Sequence, residues 1–383
     1  MAAKTRVCVG MSGGVDSSVA AYLLQQQGYD VIGLTFRGWP QDCRSIEEDK
    51  CCGPQAVTDA RMVAHALDIP YYVIDEIETF QREVMDYFAA EYQRGRTPNP
   101  CIICNEKVKF GSLLRKARAL GAEMIATGHY AKIEVVENVG APFRARRDSE
   151  SGQEWPSHND TRNGHRYFLR KARDDRKDQT YFLFTLNQDQ LARAMFPLGE
   201  LTKAEVRDIA KKIGLKTYGK DESQEVCFVP ANDYRRFLRE SAGVTDRRGE
   251  IVTRAGNVLG HHAGIHNFTI GQREGLNLGG LPRPLYVLEL DPASNRVIVG
   301  PSEELMRDAF DVENCTWRGD PPAEPLQVTV KPRHQHPGCA AIVERGSAER
   351  ASVRLPEPQR AITPGQAAVF YRDDLVIGGG WIS

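Results

Sequence analysis

The stretch VGMSGGVDSSVAAYLL, residues 9–24, decides how the first third of the chain is read. A short apolar run, RVCVGM, leads into it and reads as a strand. The run SSVAAYLLQQQ places Val19, Ala20, Leu23 and Leu24 on one helical face, with Gly28 as a stop. A glycine–serine turn lies between strand and helix. Backbone N–H groups in such a turn, at a helix N-terminus, bind anions. Gly13 and Gly14 permit the tight turn and the close approach of a ligand, and Ser12, Ser17 and Ser18 add hydroxyl donors. The lysine of a Walker-type loop is missing. The turn therefore suits a pyrophosphate group that leaves. Asp16 repels phosphates unless it holds a Mg2+ ion. The physical reading is ATP cleaved between its α and β phosphates, with AMP passed to an acceptor oxygen.

Working outward, DVIGLTF, PYYVID and EMIATGH read as further strands, and PQAVTDARMVAHALDI, ETFQREVMDYFAAEYQRG and KVKFGSLLRKARALG as helices. This alternation predicts parallel βαβ units in a doubly wound α/β sheet. Ligands of such sheets sit at the carboxyl ends of strands, an edge that the glycine turn, Phe36, Gly128 and His129 would share. Residues 138–166 are polar and without periodicity, and read as an exposed, flexible insertion with a weak basic bias. Helices are predicted at NQDQLARAMF, at TKAEVRDIAKKIG with Thr202 as N-cap and Glu205 three residues on, and at NDYRRFLRES. From about Gly249 short alternating runs such as PLYVLELD, NRVIVG and LQVTVK predict an all-β region, with YRDDLV as a tight hairpin.

The chain has 383 residues, enough for two or three domains. No apolar run approaches ~18 residues, so no membrane span is expected. The start, MAAKTRVCVG, carries no long apolar signal region, and a cytoplasmic protein is the expectation. The net charge of −1 excludes bulk electrostatic capture of nucleic acid but leaves room for a local basic face. Nine cysteines, an odd number, point away from a disulfide scaffold and toward metal or redox chemistry. Cys8, Cys315 and Cys339 read as buried small hydrophobes. Cys43, Cys51 and Cys52 lack a clear fourth partner for zinc.

Two cysteine segments are informative: GRTPNPCIICNEKVKF and KDESQEVCFVP. Cys104 precedes a predicted helix, where the positive end of the dipole lowers a thiol pKa. Pro98 and Pro100 stiffen the loop before it. Cys227 follows Asp221, Glu222 and Glu225, carboxylates that raise a thiol pKa, so any reactivity must come from the fold. Taken alone, each cysteine reads as structural rather than reactive.

SGGVDSS after a first strand resembles the pyrophosphatase-loop ligases and thiolases, among them argininosuccinate, NAD and GMP synthetases. With RTPNPCIICN, KDQTYFLF, SQEVCFVP, FTIGQREGLNLGG and TPGQAAVFY, the chain closely resembles the tRNA-specific 2-thiouridylases nearly end to end. The resemblance implies an adenine nucleotide alpha hydrolase-like domain over 1–222, a central domain over 223–305 and a C-terminal β-barrel that holds tRNA over 306–383. It implies adenylation of the wobble uridine 2-oxygen, in tRNAs for lysine, glutamate and glutamine. Sulfur would come from a cysteine desulfurase or sulfur-relay protein. Cys227 would carry a persulfide, and Cys104 would act with it and form a transient disulfide.

Position by position, the resemblance places Gly10, Met11, Ser12, Gly13, Gly14, Val15, Asp16 and Ser17 on ATP phosphates, Phe36 on the adenine, and Gly128 beside the nucleotide. Asn99, Pro100 and Cys101 would border the flipped base. His129, Lys177, Asp178, Gln179, Arg333, His334 and Gln366 would touch tRNA. Cys101, Cys104 and Cys227 also raise an alternative, an iron–sulfur cluster with one iron open. Two further readings stand apart: another pyrophosphatase-loop adenylating ligase, and an RNA-binding protein without catalysis.

Overall fold

The computed structural model describes residues 4–38, 53–137, 164–215, 226–280, 283–319, 322–347 and 349–383. Cys43, Cys51, Cys52, most of the insertion, and Asp221, Glu222 and Glu225 lie outside them. The chain forms two compact units. Unit 1 holds residues 1–84, 101–233 and 374–376; unit 2 holds 85–100, 234–373 and 377–383. Residues 85–100, which the sequence reading gave to the nucleotide domain, cluster with unit 2.

Unit 1 is built on β1 (Arg6–Gly10), β2 (Asp30–Arg37), β3 (Tyr71–Asp75) and β4 (Met124–Thr127). The hairpin β5 (Lys132–Glu137) and β6 (His165–Arg170) follows, then the short β7 (Ala194–Met195). Val7, Cys8 and Val9 are wholly buried, as a central parallel strand covered on both faces must be. The sheet order is β3-β2-β1-β4-β7, and all these pairings are parallel. Chain order reverses between β1 and β4, and the crevice at such a reversal is where ligands of these sheets bind. Gly10 pairs with Leu34 on one side and Thr127 on the other, so three strand ends share one edge.

Helices α1 (Val15–Gln26), α2 (Pro54–Ala66), α3 (Leu113–Ala119) and α4 (Lys203–Lys212) belong to the same unit. α1, α2 and α4 contribute Val19, Leu24, Ala60, Val63, Val206 and Ala210 to one core with Val7 and Val9. Two expectations change here. NQDQLARAMF forms a helix only over Gln188–Leu191, because Ala194 leaves it to pair with Ile125 of β4. His165 and Arg166, assigned to the insertion, are strand residues paired with Glu137 and Val136. Their charge hid the alternation of the strand, although Arg166 is buried.

In unit 2 a four-stranded sheet, order β10-β11-β8-β9, is made of β8 (Gly249–Thr253), β9 (Val258–His262), β10 (Tyr286–Asp291) and β11 (Arg296–Gly300). Ile251, Ile265, Phe268, Val287 and Val297 fill its core. The remaining strands are β12 (Met306–Trp317), β13 (Leu326–Lys331), β14 (Cys339–Ser347), β15 (Arg350–Arg360), β16 (Ala367–Arg372) and β17 (Leu375–Ile382). β12 pairs with both β15 and β17, which closes an antiparallel barrel. β15 shows the expected period of two: Ala351, Val353 and Leu355 point in, and Ser352 and Arg354 point out. The parallel sheet, the central domain and the C-terminal barrel read from the sequence are thus all present. Among the described residues no helix is long and apolar enough to cross a membrane.

Candidate active site

The glycine turn sits at the crevice. Gly14 is extended, with φ −90° and ψ 166°, and α1 begins at Val15 without a side-chain cap. The first turn of a helix leaves N–H groups without partners inside it, so this start presents donors of the kind that bind anions. Gly13 has φ +70°, and a Cβ there would lie 2.5 Å from the carbonyl oxygen of Ala56. The hydroxyls of Ser17 and Ser18 donate to the Gly14 carbonyl at 3.2 and 2.8 Å, and Ser17 Oγ accepts from the Ser12 N–H at 3.2 Å. The serines therefore hold the turn in shape. Thr35 donates to the Met11 carbonyl at 2.7 Å and pins the turn to β2. Gly128, at the end of β4, packs against the same turn. A Cβ there would lie 2.6 Å from Ser17 N and 2.7 Å from the Asp16 carbonyl carbon.

Asp16 is not an isolated charge. The Tyr130 hydroxyl donates to its Oδ1 at 2.8 Å, and Lys203 Nζ lies 2.8 Å from both Oδ1 and Oδ2. Lys203 opens α4, whose start is closed by a reciprocal Thr202–Glu205 capping box. Its backbone N–H donates to Asp174 at 2.9 Å. Neither Lys203 nor Tyr130 is among the residues expected from the sequence. The signal for Lys203 was a lysine in the first turn of a helix, where acidic residues are favoured.

The KDQTYFLF segment holds this edge from behind. Gln179 exchanges hydrogen bonds with the backbone of Tyr130: its side-chain oxygen accepts at 2.9 Å and its own N–H donates at 2.9 Å. Asp178 is buried and accepts from the Ala172 N–H, the Thr180 N–H and the Thr180 hydroxyl. Lys177 is half-buried. His129 is buried between Phe110 and Phe196, with Nδ1 2.7 Å from Thr127 Oγ1. Burial first, and the positive charge of Lys109 second, hold its pKa well below the usual imidazole value, so the ring is neutral.

Cys104 begins a nine-residue π-helical stretch, Cys104–Ser112, directly after Pro100–Ile103. Wide turns of this kind are rare and concentrate at functional sites. Gln190 stitches the stretch by donating to the carbonyls of Glu106 and Phe110 at 2.9 and 3.1 Å. Asn105 donates to the Phe182 carbonyl at 3.0 Å, and its buried Oδ1 has no partner among the described residues. Cys104 is buried, Cys227 is half-buried and Cys101 is exposed.

Residues 75–80 brace both thiol segments. Ser112 donates to the buried carboxylate of Glu76 at 2.7 Å, and Lys116 pairs with the same group at 2.9 Å. Phe80 packs edge-on against Phe228, the neighbour of Cys227, with centroids 5.8 Å apart. It also packs against Phe36 at the end of β2, at 6.0 Å. Among the described residues no three His, Cys, Asp or Glu side chains are gathered to hold a metal ion. The thiol triad expected for an iron–sulfur cluster is therefore not formed; Cys101 faces solvent while Cys104 turns inward.

The other predicted residues lie in unit 2. Gln366 donates to the Thr97 carbonyl at 2.8 Å and so fixes the turn leading to Asn99 and Pro100. Arg333 is exposed and donates to the Arg360 carbonyl at 3.2 Å. His334 is half-buried, and burial followed by the charge of Lys331 lowers its pKa.

Sequence profiles divide the chain in three. One described as a tRNA methyl transferase HUP domain matches residues 5–231, a tRNA methyl transferase PRC-barrel domain matches 235–301, and an aminomethyltransferase beta-barrel domain matches 307–382. The tRNA-specific 2-thiouridylase MnmA of Geobacter metallireducens is 47% identical over 99% of this chain and 97% of its own length. The chain belongs to the tRNA-specific 2-thiouridylase family. The thiouridylase of Clostridium perfringens is similar at 46% identity, over 99% of this chain and 98% of its own length. A solved 4-thiouridine synthetase with RNA and bound ATP aligns at 16% identity and a TM-score of 0.33, over 62% of this chain and 50% of that one. The glycine turn, Cys104 and Cys227 all fall in unit 1 here, whereas Arg96–Pro100 of the first cysteine segment cluster with unit 2.

Proposed function

We propose that this thiouridylase replaces the 2-oxygen of the wobble uridine of tRNA with sulfur, using ATP. The observation that carries the reading is that the loop for α–β phosphate cleavage and the thiols of Cys104 and Cys227 belong to a single compact unit, both thiol segments braced by residues 75–80. ATP lies along the Gly10–Ser17 turn with its adenine against Phe36. The uridine 2-oxygen attacks the α-phosphorus. The bond to the bridging oxygen breaks, its electron pair leaves on pyrophosphate, and the N3 proton passes to solvent. Oxygen is a poor leaving group until AMP is attached, so the hard substitution is divided into two easier ones.

Cys227 enters the second half as a persulfide. Its terminal sulfur attacks C2, and the C–O bond breaks to release AMP. The Cys104 thiolate then attacks Sγ of Cys227. The S–S bond breaks, the electron pair moves to the sulfur on C2, and N3 takes a proton to give 2-thiouridine. The Cys104–Cys227 disulfide left behind needs an external dithiol reductant.

Asp16 is the carboxylate expected to hold Mg2+, but both of its oxygens already accept from Lys203 at 2.8 Å, so as placed it does not fit that ion and no step is routed through it. Asn99, Pro100 and Cys101 border the target base. Lys177, Arg333 and His334 offer cationic or ring contacts to the RNA. The tRNAs are those for lysine, glutamate and glutamine, and a cysteine desulfurase or relay protein supplies the sulfur.

Nucleoside mass analysis of tRNA incubated with ATP and a persulfide donor tests this. Thio-for-oxo exchange at the wobble uridine is expected with the wild type, and none with Cys227→Ala or Cys104→Ala. Full incorporation by Cys227→Ala would overturn the reading.

A further inference from the structure

The turn lacks a lysine in its own sequence, yet the fold delivers one. Lys203 comes from the start of α4, and its side chain is only 10% exposed. Lysine is almost never buried without a charged partner. It also stands at the one helix position where the dipole disfavours a cation. Its place is not explained by α4, whose start is already closed by Thr202 and Glu205. What α4 does is carry this ammonium to Asp16, on the first turn of the uncapped α1.

The local charge is informative. Asp16 and Lys203 cancel. The uncapped start of α1 contributes roughly half a positive charge, whereas the start of α4 is offset by Glu205 and Asp174. The positive remainder lies at the start of α1, and that suits an anion. An ammonium has three N–H donors on a rotatable bond, so it can pass one to a phosphate oxygen while Asp16 still orients it.

We propose that Lys203 is a phosphate-binding residue of this site, pairing the β-phosphate of ATP and then the pyrophosphate that leaves. This rests on the functional reading above and adds a residue to it. As the α-phosphorus takes the uridine oxygen, the electron pair of the broken bond settles on pyrophosphate, and Lys203 offsets that charge without giving up a proton.

The test is calorimetric titration of the full-length protein with pyrophosphate, ATP and AMP, in EDTA so that no metal contributes. Lys203→Met is expected to weaken pyrophosphate and ATP binding roughly 10- to 100-fold, as loss of a charged hydrogen bond does, and AMP binding by less than about threefold. Lys203→Met also exposes the phosphates to an unmatched Asp16, so a second background is needed. In Asp16→Asn, which keeps the acceptor for Tyr130, adding Lys203→Met should still weaken pyrophosphate binding at least about tenfold. If the double variant binds pyrophosphate as tightly as Asp16→Asn alone, Lys203 only neutralises Asp16 and the proposal is wrong. If the wild type binds neither pyrophosphate nor ATP, the functional reading fails along with it.

Discussion

Two helices begin within a hydrogen bond of each other, and they begin differently. α4 is closed by its own side chains: Thr202 accepts from the Glu205 N–H, and Glu205 accepts from the Thr202 N–H. α1 has no side-chain cap, and its serines bond backward to Gly14 instead of forward along the helix. A capped start is finished by folding. An uncapped start at the crevice of a parallel sheet retains its donors for a ligand. The difference separates a helix whose start positions a side chain from one whose start is left open to a ligand.

Gly128→Ala should break this comparison most severely. The added methyl meets backbone atoms of Ser17 and Asp16, which cannot rotate away, so the start of α1 must shift. A clash of this kind costs ~1–3 kcal/mol, and ATP affinity should fall roughly 5- to 150-fold in a nucleotide titration. Unchanged affinity would mean that the turn does not hold phosphate.

A smaller effect is expected from His129, next to Gly128. Its folded pKa is depressed, so between that value and 6.5 the unfolded chain binds more protons than the folded one. The stability that comes from keeping it neutral is complete above pH 6.5 and is lost as pH falls below it. The slope is at most about 1.4 kcal/mol per pH unit. Denaturant midpoints between pH 7.5 and 5 should fall less steeply in His129→Asn than in the wild type. Parallel profiles would place the titration elsewhere.

Thr202→Ala should have the smallest effect on the site. Loss of the cap should cost about 1 kcal/mol of stability. ATP affinity should stay within about twofold, because α4 needs only to keep Lys203 in place. A large loss of affinity at unchanged stability would show that both helix starts bind the nucleotide.

The sheet was legible because a parallel strand buried on both faces is written as an unbroken apolar run, as in Val7–Val9 and the residues that match them in β2. The capping box was legible because its two residues are three apart. The pairs that build the site were not. Lys203 meets Asp16 across 187 positions, and nothing local marks the partnership. The π-helical stretch after Cys104 was hidden for a similar reason: the amide that satisfies its carbonyls belongs to Gln190, 84 positions from Glu106. Asp178 and Gln179 were expected on the tRNA by resemblance alone, and nothing local announced that they also brace the fold, accepting from Thr180 and Tyr130. The thiols were found through motif resemblance, since a cysteine beside apolar residues has the same local pattern whether it is inert or reactive.

The most direct test of sulfur transfer by this thiol pair is peptide mapping without reductant, after one turnover on tRNA with ATP and a persulfide-loaded enzyme. The account predicts a disulfide-linked peptide pair containing Cys104 and Cys227, formed in step with 2-thiouridine and absent when ATP is withheld. Thiolated tRNA with both cysteines still reduced would contradict it.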